Sequence, residues 1–245
     1  MNFIRKIVKL KKKQKEGFYS DIKKLLRFTP KKLTYYQKAF THRSLKKVDE
    51  KGNPINYERL EFLGDAMLGS IIASYLYKKV PKGTEGYLTQ MRSKIVSRDH
   101  LNELGKDLNL IRFVHSNITQ EHIGDNIYGN IFEALIGAIY LDRGYNYCKK
   151  FIYENVIVPY VDIAKLEGKI TSYKGLIIEW CQKQKKQYLF DTYEDTGNEN
   201  VKHFSVKISI DGVLVAKGRA TSKKKAEEQA SKRVYFAMQD EITKS

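Results

Sequence analysis

Residues 57–65 read Tyr57-Glu58-Arg59-Leu60-Glu61-Phe62-Leu63-Gly64-Asp65, and the rest of the chain is organised around them. Wound as a helix at about 100° per residue, the stretch puts Glu58, Glu61 and Asp65 in one narrow sector and Leu60, Leu63, Met67 and Ile71 on the opposite side. One face is suited to burial and the other is acidic. Three carboxylates in one sector repel one another, so the arrangement is favourable mainly when a cation neutralises it, and hard oxygen ligands suit Mg²⁺ or Mn²⁺. Phe62 lies beside the acidic sector and is available to a second protein surface. The bare spacing also arises on ordinary solvated helices, so its weight comes from the stretches around it.

The chain has 245 residues, with 45 Lys and Arg against 28 Asp and Glu, a net charge of +17. That excess points to a polyanionic partner, nucleic acid or an anionic surface, and the acidic helix is a local exception within it. The first 30 residues carry ten Lys or Arg against two Asp or Glu and read as a basic amphipathic extension, solvated or partly disordered. Cys148 and Cys181 form no framework and no metal pair, which suits a reducing cytoplasm. No apolar run approaches the roughly 18 residues of a membrane span, and no secretory signal is evident.

A second decisive stretch runs from Tyr128 to Asp142, with Asn130, Glu133, Ala134 and Gly137 among apolar residues. As a helix it buries Phe132, Leu135 and Ile139 and places Asn130 and Glu133 on the other side. Ala134 and Gly137 beside that pair let a second helix approach closely, the Glu58 helix being the candidate. Between the two stretches, a helix through Leu88, Met91 and Ile95 carries Arg92, Lys94 and Arg98 on exposed faces. His42, without a second histidine at ligand spacing, reads as structural. Apolar Phe151, Val156, Val158 and Val161 follow at helical spacing.

Residues 172–240 read as helix, three strands, helix, with Asp211-Gly212 as a two-residue hairpin turn. The last helix places Ala226, Ala230, Val234 and Ala237 on one face. At its start Lys223, Lys224 and Lys225 combine charge with free backbone N–H groups, a cradle for phosphates.

The string Glu58 to Ala66, with Tyr128 to Asp142 and the C-terminal module, resembles the ribonuclease III family. The resemblance covers residues 31–240. It implies a mainly α fold: an all-helical nuclease domain, 31–166, after the extension 1–30; a linker, 167–171; a small α+β double-stranded RNA-binding domain, 172–240; and a tail, 241–245. It also implies a cytoplasmic, metal-dependent endoribonuclease that hydrolyses double-stranded RNA to 5′-phosphate and 3′-hydroxyl ends in processing ribosomal and other structured RNA. Glu61, Asp65, Asn130 and Glu133 would hold Mg²⁺, with Mn²⁺ able to substitute, and Glu58 would place a second metal or water beside the catalytic Glu61, Asp65 and Glu133. A homodimer through Phe62 would cut both strands, and no stable membrane association is expected. Glu179, Gln182 and Asn200 would face RNA grooves and Lys223, Lys224 and Lys225 the phosphates. One departure matters. The commoner pattern has Asp at Asn130, so the site has one fewer negative charge, and the alternative is a catalytically impaired RNA-binding protein.

Overall fold

A helix that is apolar on nearly every side is stable only at the centre of a bundle, and residues 127–143 form such a helix. The computed structural model describes residues 16–118, 124, 126–167, 170, 172–195 and 202–243, and the chain divides into two units, Met1–Gly168 and Lys169–Ser245. The first is all-helical: α1 (16–26), α2 (Leu33–Ala39), α3 (Glu58–Lys79), α4 (Glu85–Ile95), α5 (Arg98–Asp107), α6 (Ile127–Arg143), α7 (Tyr145–Ile152), α8 (Val158–Tyr160) and α9 (Ile163–Glu167). Every residue of α6 from Ile131 to Ile139 is buried, and α2, α3 and α5 pack around it.

The buried stripe of α3 differs from the expected one. It runs Leu60, Gly64, Leu68, Ile71, Ile72 and Leu76, with Leu63 and Met67 only half-buried at its margin. A count of apolar side chains passes over Gly64, which has none, yet α6 lies so near that a Cβ at Gly64 would overlap the Glu133 carbonyl oxygen. The helix stops at Val80, before Pro81, as Pro disfavours helical backbone in the residue preceding it.

Three further expectations are corrected. Residues 16–28, assigned to a solvated extension, give Ile22 and Leu26 to the core, and Phe18 meets Phe40 and Phe113 edge-on at 6.5 and 5.9 Å. Its apolar side was masked by the lysines of residues 1–15, which lie outside the described residues. Lys94 is buried, because its ammonium caps the last carbonyls of α9, Leu166 O at 2.8 Å and Glu167 O at 3.1 Å. After α7 the helix widens into a π-type turn over Tyr153–Ile157. The extra residue rotates the face, burying Val156 and Ile157 and exposing Val158.

The second unit is α10 (Tyr173–Lys183), an antiparallel sheet of β1 (Tyr188–Asp195), β2 (His203–Ile210) and β3 (Val213–Ala220) in that order, then α11 (Lys223–Ala237) and α12 (Gln239–Thr243). Asp211 and Gly212 both have positive φ, 50° and 79°, as a turn matching strand twist requires. Val206, Ile208 and Ile210 of β2 face Ile177 and Trp180 of α10 and Ala226, Ala230 and Val234 of α11. Ser231, not Ala237, completes the buried face of α11, its hydroxyl returning to Glu227 O at 2.8 Å. Glu228 of α11 accepts from the Tyr173 and Lys174 amides at the start of α10, at 2.5 and 3.3 Å, which ties the two helices together. Among the described residues no helix is long and apolar enough to cross a membrane.

Candidate functional site

The α3–α6 crossing sets the geometry of the site. Gly64 faces Gly137, and a Cβ on either would come closer than 3.0 Å to backbone of the other helix, at Glu133 and at Leu60. Only glycine admits so close an approach. Glu61 and Asp65 of α3 and Asn130 and Glu133 of α6 flank this crossing, near enough for the charges of Asp65 and Glu61 to act on Glu133.

Glu133, expected on a polar face, is instead buried, its side chain 5% exposed. Burial, reinforced by the charges of Asp65 and Glu61, pushes its carboxyl up to about 7 against the opposing pull of Arg98. Glu61 is half-buried and likewise raised, by burial and then by Glu58 and Asp65, with Arg98 and Arg43 opposing. Asp65 is exposed.

Arg98 was read as an exposed face residue, and it is one of two members of the site that sequence reasoning missed. From the first turn of α5 its Nη1 donates to Asn130 Oδ1 at 2.6 Å and lies 3.5 Å from Glu133 Oε2, with its side chain still 45% exposed. A signal existed. A cation in the first turn of a helix is disfavoured by the helix dipole and calls for a compensating acid. Asn130 shares the wall of one cavity with Tyr57.

Glu58 is engaged at the rim. Its Oε1 lies 3.3 Å from Arg43 Nη1, and its Oε2 accepts from Asn56 Nδ2 at 3.0 Å, while Asn56 Oδ1 accepts from the Glu58 amide at 3.1 Å. Asn56, also missed, thus replaces a missing helix cap. Glu58, Glu61 and Asn130 line a polar cavity of about 390 Å³ with His42, Arg43 and Asn126. His42 Nδ1 is taken up by Ser44 at 2.9 Å, and burial, then the Arg43 charge, lowers its pKa, as suits a neutral structural histidine.

Among the described residues no three His, Cys, Asp or Glu side chains stand together at metal-ligand spacing. The guanidinium of Arg98 holds the point toward which Asn130 and Glu133 are directed. The donor chemistry nonetheless fits a hard divalent cation: every group is an oxygen, and a buried carboxylate faces two others across a close helix crossing. On the outer side of α3, Phe62 is 81% exposed, beside a cavity of about 640 Å³ lined by Tyr35, Leu63 and Leu141.

In the second unit Glu179 and Gln182 are exposed on α10, and Lys223, Lys224 and Lys225 are exposed at the start of α11. Ser222 caps that helix by accepting from the Lys225 amide at 3.3 Å. Lys223 and Lys202 both lie over the Phe204 ring, at 5.7 and 5.5 Å. Asn200 lies outside the described residues.

Comparison with known proteins agrees with both units. Residues 32–160 match the family described as Ribonuclease-III-like, and residues 173–235 match the Double-stranded RNA binding motif. The chain is 65% identical to a protein of Zunongwangia profunda named Ribonuclease 3, over 99% of this chain and 100% of that one. It is 63% identical to its namesake in Flavobacterium psychrophilum, over 99% of each. A solved nuclease domain of ribonuclease III from Campylobacter jejuni, described for flexibility in a region involved in dimer formation, superimposes with a TM-score of 0.51 at 28% identity. That match covers 57% of this chain and 96% of the domain.

Proposed function

This chain belongs to the ribonuclease III family, as a ribonuclease III-type endoribonuclease, and from that membership we propose that it hydrolyses double-stranded RNA at the cluster of Glu61, Asp65, Asn130 and Glu133. The reading includes Mg²⁺, for which Mn²⁺ can substitute, products with 5′-phosphate and 3′-hydroxyl ends, and a role in processing ribosomal and other structured RNA in the cytoplasm. The observation that supports it is the buried Glu133 beside the Gly64–Gly137 crossing, its carboxyl raised to about 7 by burial and by the charges of Asp65 and Glu61 from the facing helix.

Glu61, Asp65 and Glu133 would hold the cation with anionic oxygens, and Asn130 would offer a neutral one. When bound, the cation would supply Lewis-acid polarisation of the scissile phosphate and acidify an attacking water. With a cation bound at Asn130 and Glu133, the half-exposed Arg98 side chain would exchange its bonds to them for a phosphate, where a guanidinium pairs well with two oxygens. Glu58, fixed by Asn56 and Arg43 at the cavity rim, would orient water. No covalent nucleophile is required. Glu179, Gln182, Asn200 and Lys223 to Lys225 would bind A-form duplex by shape and phosphate contacts. Two copies joined through Phe62 and the adjoining apolar cavity would present one site to each strand.

The Arg98–Asn130 bond favours one second reading, a catalytically impaired RNA-binding protein whose guanidinium takes the place of the cation. One experiment separates the two. Wild type, Glu133→Ala and Asn130→Asp are incubated with a long RNA duplex and Mg²⁺ or Mn²⁺, with binding and cleavage read separately. Metal-dependent cutting by wild type that Glu133→Ala loses while still binding supports the nuclease. Binding without cutting in either metal, with cutting gained by Asn130→Asp, supports the second reading.

A further inference from the structure

A cavity of about 250 Å³ opens between the C-terminal half of α3 and the segment formed by α7 and its π-type turn. Lys78 on its wall lies 17 residues beyond Glu61, about 25 Å along the helix at 1.5 Å per residue, so the cavity is separate from the metal centre. Tyr75, Tyr145 and Tyr153 line it with Lys78, Lys79 and Lys149, over a floor of buried Ile71 and Ile157. No acidic residue lines it. Among the described residues none of these three lysines has a carboxylate partner. The nearby Glu154 pairs instead with Lys150, at 3.8 Å, and both lie outside the lining.

Lysines in the last turn of a helix ordinarily complement its carbonyl end. That accounts for part of the charge only, since the ends of α3, with Lys78 and Lys79, and of α7, with Lys149, carry about half a negative charge each against three whole positive ones. It also leaves unexplained why three tyrosines surround the same opening, two of them, Tyr145 and Tyr153, 40% and 49% exposed. Aromatic faces beside lysine point charges are the chemistry that holds a nucleobase together with its phosphate. At roughly 30 Å³ per water, 250 Å³ holds about eight waters, room for a base with its phosphate left at the mouth and too little for a helix or a duplex.

We propose that this cavity is a second nucleotide site, which binds one unpaired nucleotide with its base against Tyr75, Tyr145 and Tyr153 and its phosphate on Lys78, Lys79 and Lys149. The base-plus-phosphate chemistry is shared by a free nucleoside monophosphate and by the phosphorylated end of single-stranded RNA, and the test distinguishes them. The full chain, in EDTA so that no RNA is cut, is titrated calorimetrically with AMP, with inorganic phosphate and with a 5′-phosphorylated single-stranded trinucleotide. Tyr153→Ala and Lys149→Ala, both at exposed positions, are compared with the control Lys150→Ala, all three melting as wild type does. The expected result is binding of AMP or of the trinucleotide that weakens about tenfold in each of the first two variants and is unchanged in Lys150→Ala. Binding of AMP identifies a free nucleotide as sufficient, and binding of the trinucleotide alone identifies an RNA end. The proposal is overturned if neither binds, if inorganic phosphate binds as well as AMP, or if Lys150→Ala weakens binding as much as Lys149→Ala.

Discussion

At the scale of single residues, Glu133 stores a cost that a cation would relieve. Its carboxyl sits at about 7 in the folded protein against a usual 4.5. The folded state therefore holds that proton more tightly than the unfolded chain, and metal-free stability falls as pH rises from 4.5 through 7. Glu133→Gln should remove most of this slope, leaving the part due to Glu61, and, in chelator at pH 8, raise unfolding stability by up to about 3 kcal/mol, as measured by urea denaturation across pH. Equal slopes for the two proteins would refute it. Asn130 contributes no charge, so Asn130→Asp should lower the half-saturating Mg²⁺ concentration by about tenfold, read as the metal-dependent rise in melting temperature. Arg98 will then pair with two carboxylates, and an unchanged metal response would mean that the guanidinium keeps the site closed.

At the scale of elements, the site depends on one crossing of two helices. Gly64→Ala would drive a methyl into the Glu133 carbonyl and Gly137→Ala one into that of Leu60. Each should cost about 3 kcal/mol in chemical denaturation and lower cleavage further by separating α3 from α6. Gly69→Ala on the same helix, with nothing within 4 Å of its added Cβ, is the control and should be neutral or slightly stabilising. The same logic explains why α1 went unread. A helix of two or three turns buries only a narrow apolar face, and a dense run of lysines before it resembles a solvated tail.

At the scale of the whole molecule, each unit has a core of its own, so recognition and chemistry can be altered separately. Replacing Lys223, Lys224 and Lys225 together by Ala should weaken duplex binding uniformly across sequences and reduce the slope of log K against log salt by up to about 3. The melting temperature should stay the same. Phe62→Ala should move the mass found by sedimentation toward the monomer under the proposed homodimer, because a ring 81% exposed contributes little to its own core and is open to a second copy. An unchanged dimer would remove Phe62 from that role.

The amino-acid sequence by itself determined the element types, the helix-then-sheet order, the turn at Asp211-Gly212 and the acidic α3, because each rests on local periodicity or turn chemistry. Through the motifs that carry the resemblance, it also indicated the family. Only the tertiary structure decided that Gly64 is the centre of the α3 seam, that Glu133 is buried, that Arg98 closes on Asn130 and that Lys94 caps α9. Those outcomes depend on how closely two distant helices approach. A glycine gives no hydrophobic signal of such an approach, and a long basic side chain gives no sign in sequence of which distant oxygen it will reach.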